Sequence, residues 1–365
     1  MAYDGASFGA RVDNTTYQKI YAKVVDNILI SPTLVSRFMG NGKPFMGKTM
    51  DFAVDITSDT QGQWFNGLET LDSSAVSTTI PLSYAQSNFE QPKVSVMVES
   101  FANSGEQQAI PLDVFKYEKA KAQALQALGT AFYGLGTSNA MNGLGNIVLD
   151  SGTIGGQARS TYSALNAYVL ASSGTLTLAK LAQVVDNVSA SGLASEEPTI
   201  MATTKAVWSL YEQLLSPTVR QEYSSFGYNA MSVRGTRIEK SRDSIAGGQG
   251  FNALTFRNFP LVKDDFCTSG YVYALNENYL FWAGRSIVPE DWKGVLEKVN
   301  LGTSKAYEGT GASALDLPSE YNGWFYQKPM VMPNQAGSIA RVYVIGNLMT
   351  TQPRRQGVLT GVTSV

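Results

Sequence analysis

The sequence predicts an α+β fold in which most neighbouring strands run antiparallel. Residues 48–56 alternate between apolar and polar side chains, and this period of two indicates a half-buried strand. Residues 112–132 contain no proline and place apolar side chains at helical spacing, which indicates a long helix. Strand and helix patterns follow one another without a regular β-α-β rhythm along the 365 residues. That mixture is typical of α+β proteins with antiparallel pairing.

The first 44 residues predict an N-terminal arm and not a domain. Residues 15–30 carry apolar side chains at helical spacing, and Ser31-Pro32 ends or bends that helix. Residues 33–39 continue the pattern as far as Gly40-Asn41-Gly42-Lys43-Pro44, which predicts a linker. This stretch lacks the spacing and the Ser or Thr of a phosphate-binding loop, so no nucleotide site is predicted there.

Residues 45–98 predict a long β-hairpin. One face of its first arm is apolar from Met50 to Ile56, and the returning arm is predicted from alternating apolar residues at 80–84 and again at Val94, Val96 and Val98. Between the arms, residues 58–77 are polar and acidic but contain Trp64, Phe65 and Leu68. An isolated two-stranded hairpin is marginal in water. Its apolar face and aromatic tip therefore pack either on the same chain or on a partner, where aromatic side chains are favoured contacts.

Beyond the hairpin the sequence predicts three helices and several short strands. Pro111 opens the longest helix, whose apolar stripe is interrupted by Lys121, and Gly134-Leu135-Gly136 ends it. The next helix spans residues 178–188, with Thr177 and Gly192 as its caps. A third helix is predicted at residues 205–215, and strands are predicted at residues 198–202, 259–263, 271–275, 324–332 and 338–348, with another strand ending at Trp282.

Composition restricts the chemistry and the environment of the protein. The chain has no histidine and one cysteine, which excludes His-based triads, His- or Cys-cluster zinc sites and an intramolecular disulfide. Only 16% of residues are charged, against roughly 25% in soluble domains, which suits burial against copies of the same chain. No run of eighteen apolar residues occurs, so we expect a soluble protein that does not insert in a membrane.

Basic residues are few and scattered. The net charge of -2 argues against strong DNA binding by bulk electrostatics. Arg11, Lys19 and Lys23 in the arm, and the pair Arg354-Arg355, are the candidates for contact with phosphate. Scattered cations of this kind are more often solvated surface groups, and both interpretations stay open.

The candidate catalytic residues lie in the stretch 259–282. Asp264 and Asp265 are adjacent, and neighbouring side chains of an extended strand point to opposite faces, so we interpret both as solvated turn residues. Cys267 has no histidine to activate it, which predicts an ordinary thiol. The Gly-Leu-Gly turns at 134–136 and 143–145 do not match a dinucleotide fingerprint. We therefore predict no catalytic, cofactor-binding or metal-binding residue, and a protein that is not an enzyme.

The order of these parts resembles the major capsid protein fold of tailed double-stranded DNA bacteriophages, which encapsulins share. The stretch FYGLGTSNAMNGLGNIV, residues 132–148, is similar to the segment that follows the family's spine helix, and PTIMATTKAVWSLYEQLLSPTVR, residues 198–220, is similar to a strand and helix of its axial domain. The resemblance implies an arm at 1–44 and an extended loop at 45–98. It further implies a peripheral domain at 99–176 and 318–365, with a spine helix at about 111–132, and an axial domain at 177–317.

What the resemblance implies is assembly. Copies would form pentamers and hexamers of an icosahedral or prolate head shell that encloses packaged double-stranded DNA. The extended loop would lie on a neighbouring subunit through Trp64, Phe65 and Leu68, and Arg11, Lys19 and Lys23 would face the DNA. Further implied partners are a separate scaffolding protein, a portal and a decoration protein, with the virion as location and the host cytoplasm as the place of assembly. Residues 58–77 contain no lysine, so the lysine–asparagine cross-link of some relatives is not expected.

Two other functions remain open from the sequence. The first is an encapsulin-like compartment shell, which encloses a cargo enzyme in place of DNA. The second is a hydrolase that uses Asp264 or Asp265, which would require an active monomer.

Overall fold

Two six-stranded sheets organise the chain. The computed structural model describes residues 32–56, 64–68, 79–102, 112–136, 139–189, 196–215, 254–257, 259–298 and 321–364. Within these residues nine strand pairs are antiparallel and three are parallel, which confirms the predicted α+β class and its mainly antiparallel pairing. The predicted helix at 15–30 and the basic residues Arg11, Lys19 and Lys23 lie outside the described residues.

The bounds of the elements are as follows. The α-helices are α1 (Thr33–Gly40), α2 (Met97–Ala102), α3 (Leu112–Tyr133), α4 (Leu144–Ile147), α5 (Leu178–Val188) and α6 (Lys205–Leu214). The first strands are β1 (Lys43–Pro44), β2 (Thr49–Asp55), β3 (Thr79–Ala85), β4 (Ser87–Val96), β5 (Thr153–Ile154), β6 (Gln157–Ala158), β7 (Tyr168–Thr175) and β8 (Ile200–Thr203). The remaining strands are β9 (Leu254–Phe256), β10 (Phe259–Lys263), β11 (Val272–Leu275), β12 (Leu280–Gly284), β13 (Leu296–Lys298), β14 (Trp324–Val331), β15 (Gly337–Thr350) and β16 (Gly357–Ser364).

The first sheet packs one face against the long helix α3. Its strand order is β1-β12-β15-β14-β13, and β4 pairs with the N-terminal part of β15. Tyr117 of α3 contacts the ring of Tyr326 on β14, with 4.6 Å between ring centroids. Further along α3, Leu125, Leu128 and Phe132 are buried in the core, as their helical spacing predicted. The long helix is therefore confirmed and forms a support beneath this sheet.

The predicted hairpin is confirmed for strands β2 and β3, and the predicted far part of its returning arm is wrong. Strands β2 and β3 pair antiparallel with Phe52 opposite Leu82, and their apolar face lies on the chain's own core through ring contacts from Phe52 to Tyr84 and to Phe281. However, Val94 and Val96 do not belong to the hairpin, because β4 leaves it after Gln86 and pairs with β15. An alternating pattern fixes which side chains share a face but not which strand lies alongside, so the pattern alone could not locate this change of partner.

The second sheet has the order β7-β16-β11-β8-β10-β9 and packs against α5 and α6. Its helices and central strands lie where the sequence predicted, but α5 ends with Ser189 as its C-cap, three residues before the predicted cap Gly192, which lies outside the described residues. Strand β16 joins this sheet, although the resemblance assigns residues 318–365 to the peripheral domain. Strand β12 joins the first sheet, although the resemblance assigns residues 177–317 to the axial domain. The predicted domain boundaries remain a prediction.

The stretch 40–44 is not the linker that the sequence predicted. Lys43 and Pro44 form β1, which pairs in parallel with Ala283 and Gly284 of β12. A Cβ atom on Gly42 would lie 2.7 Å from the carbonyl oxygen of Tyr321, so this segment packs closely on the body. The glycine here allows two backbones to approach closely, and the proline lies in an edge strand, so neither marks a flexible linker.

Candidate subunit-contact surface

The Asp264 carboxylate is buried and hydrogen-bonded, contrary to the predicted solvated turn. Its exposed fraction is 2%. One oxygen accepts from the backbone N–H of Leu34 in the first turn of α1 at 3.1 Å, and the other accepts from the N–H of Phe266 at 3.0 Å. Burial raises the pKa of Asp264, while these two hydrogen bonds oppose the rise. The carboxylate thus caps a helix that lies 230 residues earlier in the chain.

The neighbouring candidates are held in structural roles. Asp265 forms an ion pair with Lys205, with 2.7 Å between Oδ2 and Nζ. Cys267 is buried. Its burial, and to a smaller extent the nearby charge of Asp264, raise the pKa of its thiol. A nucleophilic cysteine requires a lowered thiol pKa. Among the described residues no group of His, Cys, Asp and Glu is arranged to hold a metal ion. The structure brings Asp264 and Cys267 together in a buried cluster that anchors α1 and presents no activated nucleophile.

A polar pocket lies between the base of the hairpin and the exit of α3. Amide side chains are its common feature: Gln86, Asn88, Asn139, Asn142, Asn146 and Asn347. Asn347 accepts from the N–H of Asn142 at 2.8 Å and donates to the carbonyl of Ala85 at 2.7 Å. The lining carries no carboxylate and no cationic side chain. It offers hydrogen bonds to a neutral polar group but no acid–base pair for catalysis.

The tip of the hairpin is exposed, as a contact with another molecule requires. Trp64 and Leu68 have exposed fractions of 102% and 106%, and Phe65 of 64%. The sequence left two alternatives, packing of the tip on its own chain or on a partner. These values argue against the first, because the described tip residues are not folded back on the described parts of their own chain. Whether they contact a neighbouring subunit stays a prediction.

A second apolar surface, which we call the α2 surface, lies at one end of the first sheet. It consists of Val94 and Val96 on β4, Met97, Val98 and Phe101 on α2, and Met330 on β14. These strands meet through β15, where Ile339 pairs with Val94 on one side and with Met330 on the other. None of the six residues of α2 is buried within the described part of the chain.

The alternation of β4 explains why Val94 and Val96 face outward. Lys93 and Ser95 lie on the face that α3 covers, and both are buried. Val94 and Val96 therefore lie on the opposite, open face. An ion pair between Lys116 of α3 and Glu99 of α2, and a hydrogen bond from Lys116 Nζ to the carbonyl of Val94, link α2 and β4 to α3. This ion pair lowers the pKa of Glu99.

The α2 surface was not predicted, because the alternating pattern assigned Val98 to the returning strand. A signal was present, since Val96, Met97 and Val98 are three consecutive apolar residues that break the alternation, and Met97 and Phe101 are four residues apart. In the described residues no helix is long and apolar enough to cross a membrane.

Similar structures define the class of fold. A subunit of the cyanophage A-1(L) capsid superposes with a TM-score of 0.67 at 12% identity, over 96% of this chain and 98% of that one. The capsid of a native GTA particle gives 0.61 at 8% identity, over 99% and 100%. The holo-SrpI encapsulin complex from Synechococcus elongatus PCC 7942 gives 0.57 at 13% identity, over 99% and 96%. No family model and no curated protein sequence matches the chain.

The chain therefore has the fold shared by phage major capsid proteins and encapsulins, along essentially its whole length. This confirms the fold that the order of elements predicted. In this fold the candidate functional groups are surfaces: the exposed hairpin tip and the α2 surface.

Proposed function

We propose that the protein is the major capsid protein of a tailed double-stranded DNA bacteriophage. The observation that carries this proposal is the end-to-end match with capsid subunits, which leaves no described part of the chain for a separate catalytic domain. The exposed aromatic tip on a long hairpin supports it, because such a tip suits contact between copies. The shell would be icosahedral or prolate and built from pentamers and hexamers.

The proposed role is structural and non-catalytic. The inert environment of Cys267 and the capping role of Asp264 support this, and so does the low share of charged residues. Partners beyond the chain itself would be a scaffolding protein, a portal, a decoration protein and non-specifically bound DNA on the inner surface. The protein would be located in the virion after assembly in the host cytoplasm.

A second candidate is a compartment shell of the encapsulin kind. The match to the Synechococcus elongatus encapsulin complex over 99% of this chain favours keeping it. The two candidates share a closed shell and differ in its content.

Electron microscopy of the chain expressed alone and together with its neighbouring genes tests both candidates. Uniform closed shells would support a shell protein, and a stable monomer under all assembly conditions would contradict both. The content of purified shells is then measured after nuclease treatment. Protected double-stranded DNA supports the capsid protein, whereas a co-purifying enzyme without DNA supports the compartment.

A further inference from the structure

The chain contains four Asn-Gly pairs, at residues 41–42, 66–67, 142–143 and 322–323. In such a pair the backbone nitrogen of glycine attacks the side-chain carbonyl carbon of asparagine more readily than in other pairs, because glycine has no Cβ atom that hinders the approach. The attack also requires rotation about the asparagine Cα–C bond and a glycine nitrogen that is not held in packed structure. The fold therefore decides which of the four pairs can react.

Close packing restrains two of these pairs. Gly42 donates its N–H to the carbonyl of Met39 at 3.2 Å, and a Cβ atom on Gly42 would lie 2.7 Å from a neighbouring carbonyl oxygen. A Cβ atom on Gly143 would lie 2.2 Å from the carbonyl oxygen of Gly134, just after α3. Neither backbone can rotate without displacing the segment packed against it.

Hydrogen bonds hold a third pair inside the core. Asn322 is 1% exposed, and its side-chain oxygen accepts from the N–H of Trp324 at 2.9 Å. Its carbonyl oxygen accepts from the indole N–H of Trp282 at 3.2 Å. A Cβ atom on Gly323 would lie 2.4 Å from the carbonyl oxygen of Ile345. The carbonyl carbon that would be attacked is therefore fixed in a buried side chain.

The fourth pair, Asn66-Gly67, lies at the exposed tip of the hairpin. Both residues are exposed and lie outside any helix or strand. Gly67 has a φ of 90°, and a Cβ atom on it would meet no described atom within 4 Å. No hydrogen bond joins the Asn66 side chain or the Gly67 N–H to the described part of the chain. Nothing in the described structure therefore restrains the rotation that the attack requires.

We infer that Asn66 is a site of spontaneous deamidation. The Gly67 nitrogen forms a bond to the Asn66 side-chain carbonyl carbon, and the amide group leaves as ammonia with the proton of that nitrogen. Water then opens the resulting five-membered succinimide at either carbonyl, which gives aspartate or isoaspartate. One water is consumed and one ammonia is released, so no other reactant is needed. This chemistry concerns a single chain and does not depend on the proposed function.

Peptide mapping of the whole wild-type chain tests this site. The folded, unassembled chain and a denatured sample are incubated in mildly alkaline buffer made with oxygen-18 water, so that only deamidation during the incubation carries the label. Mass spectrometry of the digested chain follows every asparagine separately. The other three Asn-Gly pairs are internal controls for packing. Asn139, which is exposed but precedes Ala140, is the internal control for exposure without glycine.

Folding should slow Asn66 by less than about threefold and the other three pairs by at least about tenfold, because groups held in packed structure react only after local opening. Asn139 should react at least about tenfold more slowly than Asn66, because Ala140 has a Cβ atom. The product at Asn66 should contain both aspartate and isoaspartate. Equal rates at all four pairs in the folded chain, or a rate at Asn66 no higher than at Asn139, would overturn the inference.

The variant Asn66→Gln tests the route. It keeps a primary amide at the tip, but the attack by Gly67 would then require a six-membered ring, which closes far more slowly. We expect no labelled product at this position over the time in which Asn66 is converted. Labelling of the glutamine at the rate of Asn66 would show direct hydrolysis and overturn the succinimide route.

Discussion

The carboxylate of Asp264 connects three segments that are far apart in the sequence. It accepts from Leu34 in α1 and from Phe266 in its own turn, and it lies beside the buried hydroxyl of Tyr133 at the end of α3. Burial and the Asp264 charge together raise the pKa of Tyr133 well above its usual value. Asp264 thus holds the start of α1 against the end of α3 and the turn after β10.

Replacement of Asp264 by alanine should destabilise the folded chain by about 1–3 kcal/mol. The physical reason is that one buried and one partly buried N–H group lose their acceptor, and an unsatisfied buried donor carries a penalty of this size. Asp265→Ala is the matched control, and it should change the free energy of unfolding by less than about 1 kcal/mol because it breaks only a partly exposed ion pair. Denaturant unfolding of the unassembled chain measures both, and equal effects would contradict the capping role.

Cys267 should react slowly with thiol reagents in the folded protein. Burial raises the pKa of its thiol, so the thiolate, which is the reactive form, is scarce at pH 8. We expect labelling by a chromogenic disulfide to be at least about 100-fold slower than for the denatured chain, where the thiol pKa returns to about 8.5. Equally fast labelling of the folded and denatured protein would show that the thiol is accessible.

At the scale of elements, the hairpin combines an anchored base with an exposed tip. Gly155, in the turn between β5 and β6, lies against Leu82 and accepts the backbone N–H of Ser83 at 2.9 Å. Its φ of 53° is a conformation that glycine adopts without strain. The base is therefore part of the body's core, and only the tip is offered to another molecule.

The double variant Trp64→Ala/Phe65→Ala should fold normally and assemble poorly. Each aromatic anchor in an interface contributes about 1–2 kcal/mol or more, so the subunit concentration needed for assembly should rise at least tenfold. Sedimentation of assembly mixtures measures this, and thermal unfolding of the free subunit verifies folding. The control Ile287→Ala/Trp292→Ala removes another exposed apolar pair and should assemble like the wild type. Unchanged assembly of the tip variant would contradict the predicted contact.

The sequence predicted the elements better than their pairing. Period-two and helical patterns located β2, β3, α3, α5 and α6, because these patterns report local geometry and burial of one face. Strands β7 and β16 were missed, since their sequences YVLASSGT and GVLTGVTS are rich in small polar residues. The burial of Asp264 also escaped prediction, because the N–H group of Leu34 that satisfies it comes from a distant segment.

At the scale of the whole molecule, the hairpin tip and the α2 surface lie on different parts of the fold. The hairpin tip is connected to the body through β2 and β3, and the α2 surface lies at the end of the sheet formed by β4, β14 and β15. A subunit with two different contact surfaces can use both at the same time in a closed ring. Because few residues of the chain are charged, burying such surfaces in many copies of the same contact removes few charged groups from water.

The arm's basic residues should determine how strongly the chain binds duplex DNA. Replacing Arg11, Lys19 and Lys23 by glutamine should make the dependence of log binding constant on log salt shallower by about 0.9 for each phosphate that the arm no longer neutralises. The control Lys48→Gln/Lys119→Gln/Lys293→Gln removes the same three positive charges from exposed sites on the body. Because both variants have the same net charge, a difference between their slopes reports a local contact and not bulk electrostatics. Fluorescence anisotropy of a labelled duplex titrated with unassembled chain measures both slopes. The same slope for both triple variants would contradict a DNA-facing arm.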